Sequence, residues 1–155
     1  MHPSAERVQA ALAAAGYDGT VRELTESTRT ADEAAAAAGC AVGQIAKSLV
    51  FKLEPANEAI LILASGANRV HEKHVGKLLG GKLVRPDADF VRETTGFAIG
   101  GIPPLGHKTK IKTYMDEDLM QYDEIWGAAG TPNAVFPIAP QKMQQMCEAE
   151  IINIK

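Results

Sequence analysis

The feature that most constrains this chain is the alternating run Ile45-Ala46-Lys47-Ser48-Leu49-Val50-Phe51-Lys52-Leu53. In extended backbone, successive side chains point to opposite faces. Ile45, Lys47, Leu49, Phe51 and Leu53 therefore share one face, and Ala46, Ser48, Val50 and Lys52 share the other. This is the clearest strand in the sequence. Lys47 stands on a face otherwise made of large apolar residues. An ammonium there is costly unless it reaches a mouth, snorkels or meets an anion. Lys47 is thus the first candidate for a functional charge. The structural alternative is a lysine that snorkels from its strand.

A second stretch is equally unusual. Thr95–His107 reads Thr-Gly-Phe-Ala-Ile-Gly-Gly-Ile-Pro-Pro-Leu-Gly-His. Proline fixes φ and removes donors, and glycine makes a helix entropically poor, so the segment cannot be regular helix. It is also too apolar for an idle solvent loop. The pattern predicts a buried strand, Phe97–Ile99, turning at Gly100-Gly101 into a stiff loop. Backbone N–H groups there are placed to hold a ligand oxygen, since missing Cβ atoms let a ligand come close. The alternative is a strand that merely ends in a tight Pro/Gly turn.

Other elements follow from caps and periods. A first helix is expected over Ala5–Ala15, stopped by Gly16, and a short strand over Val21–Leu24. Thr30-Ala31-Asp32-Glu33 is a capping box for a helix Ala31–Ala38 that stops at Gly39. Glu58–Ala64 reads as a strand antiparallel to Ile45–Leu53. Ser65-Gly66-Ala67-Asn68 is a turn, with Asn68 capping a helix Arg69–Leu79. Lys82–Arg85 is a short strand or link, and Pro86-Asp87 opens a helix holding Phe90 and Val91. Thr109–Met115, Glu124–Ala129, Ala134–Ile138 and Ile151–Ile154 read as strands, with a hairpin turn at Gly130–Asn133 and a helix beginning at Pro140. Strands outnumber long helices and do not alternate regularly with them. The fold class is α+β: a mixed, curved or barrel-like sheet with flanking helices, in one domain of 155 residues.

Composition excludes several functions. No apolar run approaches a membrane span, and Met1–Arg7 lacks the pattern of a secretory leader. Two distant cysteines, Cys40 and Cys147, without CxxC spacing suit a reducing cytoplasm. His71 and His74 are three apart, not the four of a zinc helix, so no metal site is expected, and no cofactor fingerprint appears. The net charge is −3, yet Arg69–Lys112 carries nine Lys/Arg against four acids. A basic middle in an acidic chain fits a polyanionic partner or a lysine-rich solvated surface. No helix pair with a basic recognition helix is visible, which argues against DNA.

Gly100-Gly101-Ile102-Pro103-Pro104, with its G-x-x-x-P spacing, and Lys47 within Ile45–Lys52 together resemble the YbaK/ProX group. These are relatives of the editing domain inserted in bacterial prolyl-tRNA synthetases. Thr30–Ala35, Ala64-Ser65-Gly66 and Ala129-Gly130-Thr131 look like corresponding parts, so the resemblance covers nearly the whole chain. It implies an aminoacyl-tRNA deacylase that hydrolyses the ester of a mischarged tRNA, with tRNA and a synthetase as partners. Past the glycine pair, Ile102-Pro103 and then His107 differ from the best-known cysteinyl-tRNA deacylases. The amino acid stays open among alanine, serine, threonine and cysteine.

On this basis Lys47 would hold phosphate or carbonyl as a compact cation. The amides of Gly100 and Gly101 would hold the developing oxyanion. Pro103 and Pro104 would stiffen the loop. His107 would either orient water and substrate or hold the loop by a backbone hydrogen bond. Thr28, Thr30, Ser65, Thr131 and Asn133 are further pocket candidates, each also a turn or cap residue. No Ser/His/Asp set appears, so no covalent nucleophile is expected. A non-catalytic module that binds a small ligand, a tRNA or a synthetase is the rival expectation.

Overall fold

The computed structural model describes residues 1–155. Helix α1 (Pro3–Ala14) buries Ala5, Val8 and Leu12 against the sheet. After β1 (Arg22–Glu23), α2 (Ala31–Ala38) begins at the Thr30 cap and stops where Gly39 turns left-handed, as the capping box predicts. Then come β2 (Ile45–Glu54), β3 (Glu58–Ser65), α3 (Glu72–Leu79), β4 (Lys82–Val84) and α4 (Ala88–Thr95). The chain ends with β5 (Lys112–Asp116), β6 (Ile125–Ala128), β7 (Ala134–Ile138), α5 (Pro140–Cys147) and β8 (Glu150–Ile152).

All eight strands form one mixed sheet in the order β1-β7-β6-β2-β3-β5-β8, with β4 also on β2. The sheet is open, with β1 and β8 at its ends. The expected antiparallel pair is its centre: β2 and β3 pair from Ala46↔Ser65 to Leu53↔Glu58. The period of two sorts the core as the alternation requires. Ala46, Val50, Leu61 and Leu63 join α1, Phe136 and Met143 in the larger cluster. Phe51, Ile60, Ile62 and Ala64 join Val75, Leu83 and Ile154 on the opposite face, with Leu49 and Leu53 packed against them. Ile45 instead meets Ala34, Ala35, Trp126 and Val135. Each fully buried Leu or Ile contributes about 1.5–3 kcal/mol of transfer free energy. Lys47 therefore stands in a seam between two apolar clusters on one face of β2.

The other edge of β2 is paired only at its ends. Ile45 and Ala46 pair parallel with Trp126 and Gly127 of β6. Lys52, Leu53 and Glu54 pair antiparallel with β4. The residues between have no strand beside them on that side.

Most expected bounds shift by only a residue or two, and four expectations change for reasons visible in the hydrogen bonding and burial. Phe97–Ile99 is not a strand. Phe97 is buried, but its N–H is taken by Thr95 Oγ1 at 3.0 Å, and Ile99 is 62% exposed. Helix α3 starts at Glu72, not Arg69, because the Asn68 side chain is held by Asp116 and Asp118 and cannot cap. His71 caps instead, accepting from the His74 N–H at 3.1 Å. Strand β5 starts at Lys112, since the N–H groups of Lys108 and Thr109 donate to Thr95 and Thr94. The last strand is Glu150–Ile152, while Ile154 O accepts from the His71 N–H at 2.7 Å.

The Gly/Pro segment crosses from α4 to β5 over the hairpin turn between β6 and β7. Gly130 N–H donates to Gly101 O at 2.8 Å. A Cβ on Gly101 would lie 2.8 Å from Thr131 N and 2.9 Å from the Gly130 carbonyl carbon. Main chain packs directly on main chain there, which only glycine permits. Gly101→Ala is expected to lower stability by about 1–3 kcal/mol, the usual cost of overpacking. Chemical denaturation measures it; an unchanged midpoint would show that the loop is free to lift.

Candidate functional site

Lys47 Nζ lies 3.5 Å from Asn68 O. Asn68 is itself fixed: its Nδ2 donates to Asp116 Oδ2 at 2.9 Å and Asp118 Oδ2 at 2.8 Å. Asp116 is fully buried and also accepts from the Ser65 and Asp118 N–H groups. The turn after β3 thus presents a carbonyl to the lysine on a fully bonded carboxylate base. Burial pushes the Lys47 pKa down, Arg69 pushes it further, and Asp116 opposes them. The ammonium is half-buried and held by one long hydrogen bond, with no salt bridge.

Gly100 adopts φ +102°, and its N–H has no hydrogen-bond partner within the chain. A Cβ there would touch the Arg29 side chain at 3.2 Å. Gly101 differs: its N–H already donates to Ala98 O at 3.3 Å. Lys47 and Gly100 line the same hollow of about 220 Å³. Its floor is the start of β2 and β6 (Ile45, Ala46, Trp126, Gly127), and one wall is the start of α2. Thr28, Arg29 and Thr30 line it ahead of α2, and Ile99 and Ile102 line it from the loop. Lys47 and Arg29 are its only titratable side chains. A second hollow of about 550 Å³ adjoins it and shares Lys47, Ser48, Leu49, Ile99 and Ile102.

Of the ten residues singled out in the sequence, the structure brings Lys47, Gly100, Thr28 and Thr30 together around the first hollow. Thr28 Oγ1 donates to Pro132 O at 2.8 Å, and Thr30 Oγ1 caps Glu33 N at 3.1 Å. The other six stand behind it. Gly101 and Thr131 make the main-chain contact described above. Ser65 is buried, with its hydroxyl donating to Gly43 O at 2.7 Å. Pro104 is buried under the loop. Asn133 Nδ2 donates to Leu24 O at 2.9 Å. His107 Nε2 donates to Pro103 O at 2.7 Å and so clamps the loop from within.

Sequence reasoning missed Arg29, whose stem lies over Gly100. It also missed Trp126 on the floor and Ser48 between the two hollows. Arg29 sits between two residues singled out above, Thr28 and Thr30; Trp126 and Ser48 carried no local signal. Neither cysteine offers a nucleophile here. Burial pushes the Cys147 thiol up to about 12 and raises Cys40 as well. His71 and His74 are engaged in capping α3 and in a contact with Asn153 O.

In a split mixed sheet, two cations, Lys47 and Arg29, and one unpaired amide thus line a single small hollow. A model of the aminoacyl-tRNA editing domain matches residues 25–146, and the chain belongs to that family. The kinship expected from Lys47 and Gly100–Pro104 holds. The chain is 29% identical over 131 residues to "Uncharacterized protein YwhH" of Bacillus subtilis, covering 84% of this chain and 83% of that one. It is 26% identical, over 84% of this chain and 79% of the relative, to "Putative Cys-tRNA(Pro)/Cys-tRNA(Cys) deacylase EbsC" of Enterococcus faecalis. The solved structure of "a putative trans-editing enzyme for prolyl tRNA synthetase" superposes with a TM-score of 0.94 at 48% identity, covering 100% of this chain and 98% of that one. No helix is long and apolar enough to cross a membrane.

The His107 clamp makes a pH prediction. Burial holds its pKa below the ordinary 6.5, against the pull of the Pro103 hydrogen bond. Above 6.5 both folded and unfolded chains are neutral at this site. As pH falls, the unfolded chain takes up the proton first, and stability is lost down to the folded pKa. The thermal midpoint of wild type should therefore drop from about pH 7 to about pH 5, and His107→Gln should flatten part of that drop. An identical drop in the variant would place the titrating group elsewhere.

Proposed function

We propose that this protein is a deacylase that hydrolyses mischarged tRNA carrying a small amino acid of the alanine, serine, threonine or cysteine class. The observation that carries this is the meeting of Lys47 and the unpaired Gly100 amide in one small hollow. A hollow of about 220 Å³ has room for roughly seven water-sized groups. That suits a small aminoacyl group with its ester and a water. The relative named for Cys-tRNA deacylation and the neighbour named for trans-editing support deacylation of a mischarged tRNA.

In this mechanism Lys47 anchors the substrate through its terminal phosphate or ester carbonyl. The Gly100 N–H donates to the carbonyl oxygen as it becomes an oxyanion, while Gly101 and the His107 clamp keep that amide in place. Water attacks the carbonyl carbon, the ester C–O bond breaks, and the ribose oxygen leaves with a proton. No carboxylate or imidazole lines the hollow. The proton therefore passes through water and the substrate's own polar groups. The protein's part is orientation and charge stabilisation in a largely apolar hollow. The basic span Arg69–Lys112 meets the tRNA acceptor end.

The test is release of each amino acid from a panel of mischarged tRNAs. Lys47→Ala should lower turnover about 10²–10³-fold, the usual loss when one oxyanion partner is removed. Its thermal midpoint should be unchanged or raised, because a half-buried cation is lost from an apolar seam. Wild-type turnover at limiting tRNA should fall steeply with salt, through counterion release. A Lys47→Ala protein that deacylates at the wild-type rate would leave only a binding role.

A further inference from the structure

The open edge of β2 has polar groups that nothing in the chain satisfies. Gly66 N–H donates to Ile45 O at 2.8 Å, which points the Ile45 carbonyl toward β3. Alternation along an antiparallel ladder then turns the main-chain groups of Lys47, Leu49 and Phe51 toward β3, and those of Ser48 and Val50 away from it. On the far side, the Lys52↔Val84 register continued by two residues puts Pro86 opposite Val50. Proline has no N–H, so the β4 ladder ends there. The parallel Ala46↔Gly127 register continued by two would offer the Gly130 N–H to the Ser48 carbonyl, but that N–H donates instead to Gly101 O at 2.8 Å, and the β6 pairing stops at Ala46. Ser48 and Val50 keep their N–H and C=O groups unpaired on this edge. Ser48 Oγ is also the one buried side-chain polar atom without a partner. Native chains almost always satisfy such groups.

The second hollow lies along this edge. It is lined by Lys47, Ser48, Leu49, Val50 and Phe51 in succession. A hollow over a strand's face meets alternate residues; one along its edge meets consecutive ones. Pro86, Val91 and Ile102 add apolar lining. Arg69 and Arg85 stand at its rim, the latter 3.4 Å from Glu72 and largely exposed.

We propose that this edge is a base-reading subsite for the terminal adenosine that ends every tRNA; the assignment rests on the deacylase function proposed above. The Ser48 C=O and Val50 N–H, side by side on the strand edge, match adenine's 6-amino donor and its neighbouring ring acceptor. The base lies against this apolar lining, Arg69 and Arg85 face the phosphates, and the ribose is carried over Lys47 into the first hollow. Inosine presents the opposite order, a 6-oxo acceptor beside an N–H donor, at nearly the same size.

The test uses RNA minihelices charged with the best amino acid from the panel, ending in adenosine or inosine. The inosine end should lower kcat/KM at least tenfold. In parallel, ¹⁵N–¹H spectra of the free protein should show the Ser48 and Val50 amides shifting with AMP and far less with IMP. Equal hydrolysis of both ends, or an AMP titration that leaves both amides unmoved, overturns the subsite. If neither minihelix is hydrolysed, the deacylase function itself fails, and the AMP and IMP spectra alone decide the subsite.

Discussion

The interrupted pairing of β2 is the constraint on which the rest of this structure depends. The strand is bonded along its whole length to β3, yet on its other side it meets β6 only at Ile45-Ala46 and β4 only at Lys52–Glu54. A central strand is normally closed on both edges, because unpaired main-chain groups inside a protein are costly. Here the gap opens the sheet where apolar layers converge. That gives a lysine on an inward-looking strand somewhere to place its charge. It also gives the Gly/Pro loop a space to cross.

The framework around the gap is stiff where the chemistry needs it. Gly101 and Gly130 lock loop to hairpin by main-chain contact. His107 closes the loop on Pro103. Asp116 gathers the Ser65 N–H, Asn68 and the Asp118 N–H, and so fixes the carbonyl that Lys47 touches. None of these groups needs to meet a substrate. In the proposed mechanism they hold the Gly100 amide and the Lys47 ammonium on one hollow, as a preorganised electrostatic site demands. Six of the ten residues picked from the sequence belong to this support.

Much of the fold was legible. The two-residue period of Ile45–Leu53 predicted both faces of β2, and the Thr30 capping box with Gly39 predicted α2 to the residue. Lys47 stood out because a charge broke an apolar face. What stayed hidden depended on partners distant in sequence. Asn68 reads as a helix cap until Asp116 and Asp118 claim its side chain. Phe97–Ile99 reads as a strand, but no neighbouring strand offers it a ladder. The missing pairing beside Ser48 and Val50 is a property of sheet register, decided by Pro86 and by the Gly130 N–H being taken by Gly101 O. No periodicity along β2 reports it. Arg29 was overlooked because its importance comes only from lying across Gly100.

The most direct measurement is a crystal structure of the protein with a non-hydrolysable aminoacyl-adenosine, the ester replaced by an amide. The aminoacyl group should lie in the hollow between α2 and β2. Its carbonyl oxygen should lie within hydrogen-bonding distance of the Gly100 nitrogen, and Lys47 should reach the same carbonyl or the adjoining phosphate. An analogue bound elsewhere, or one whose carbonyl faces away from Gly100 with Lys47 still on Asn68 O, would contradict the proposed mechanism.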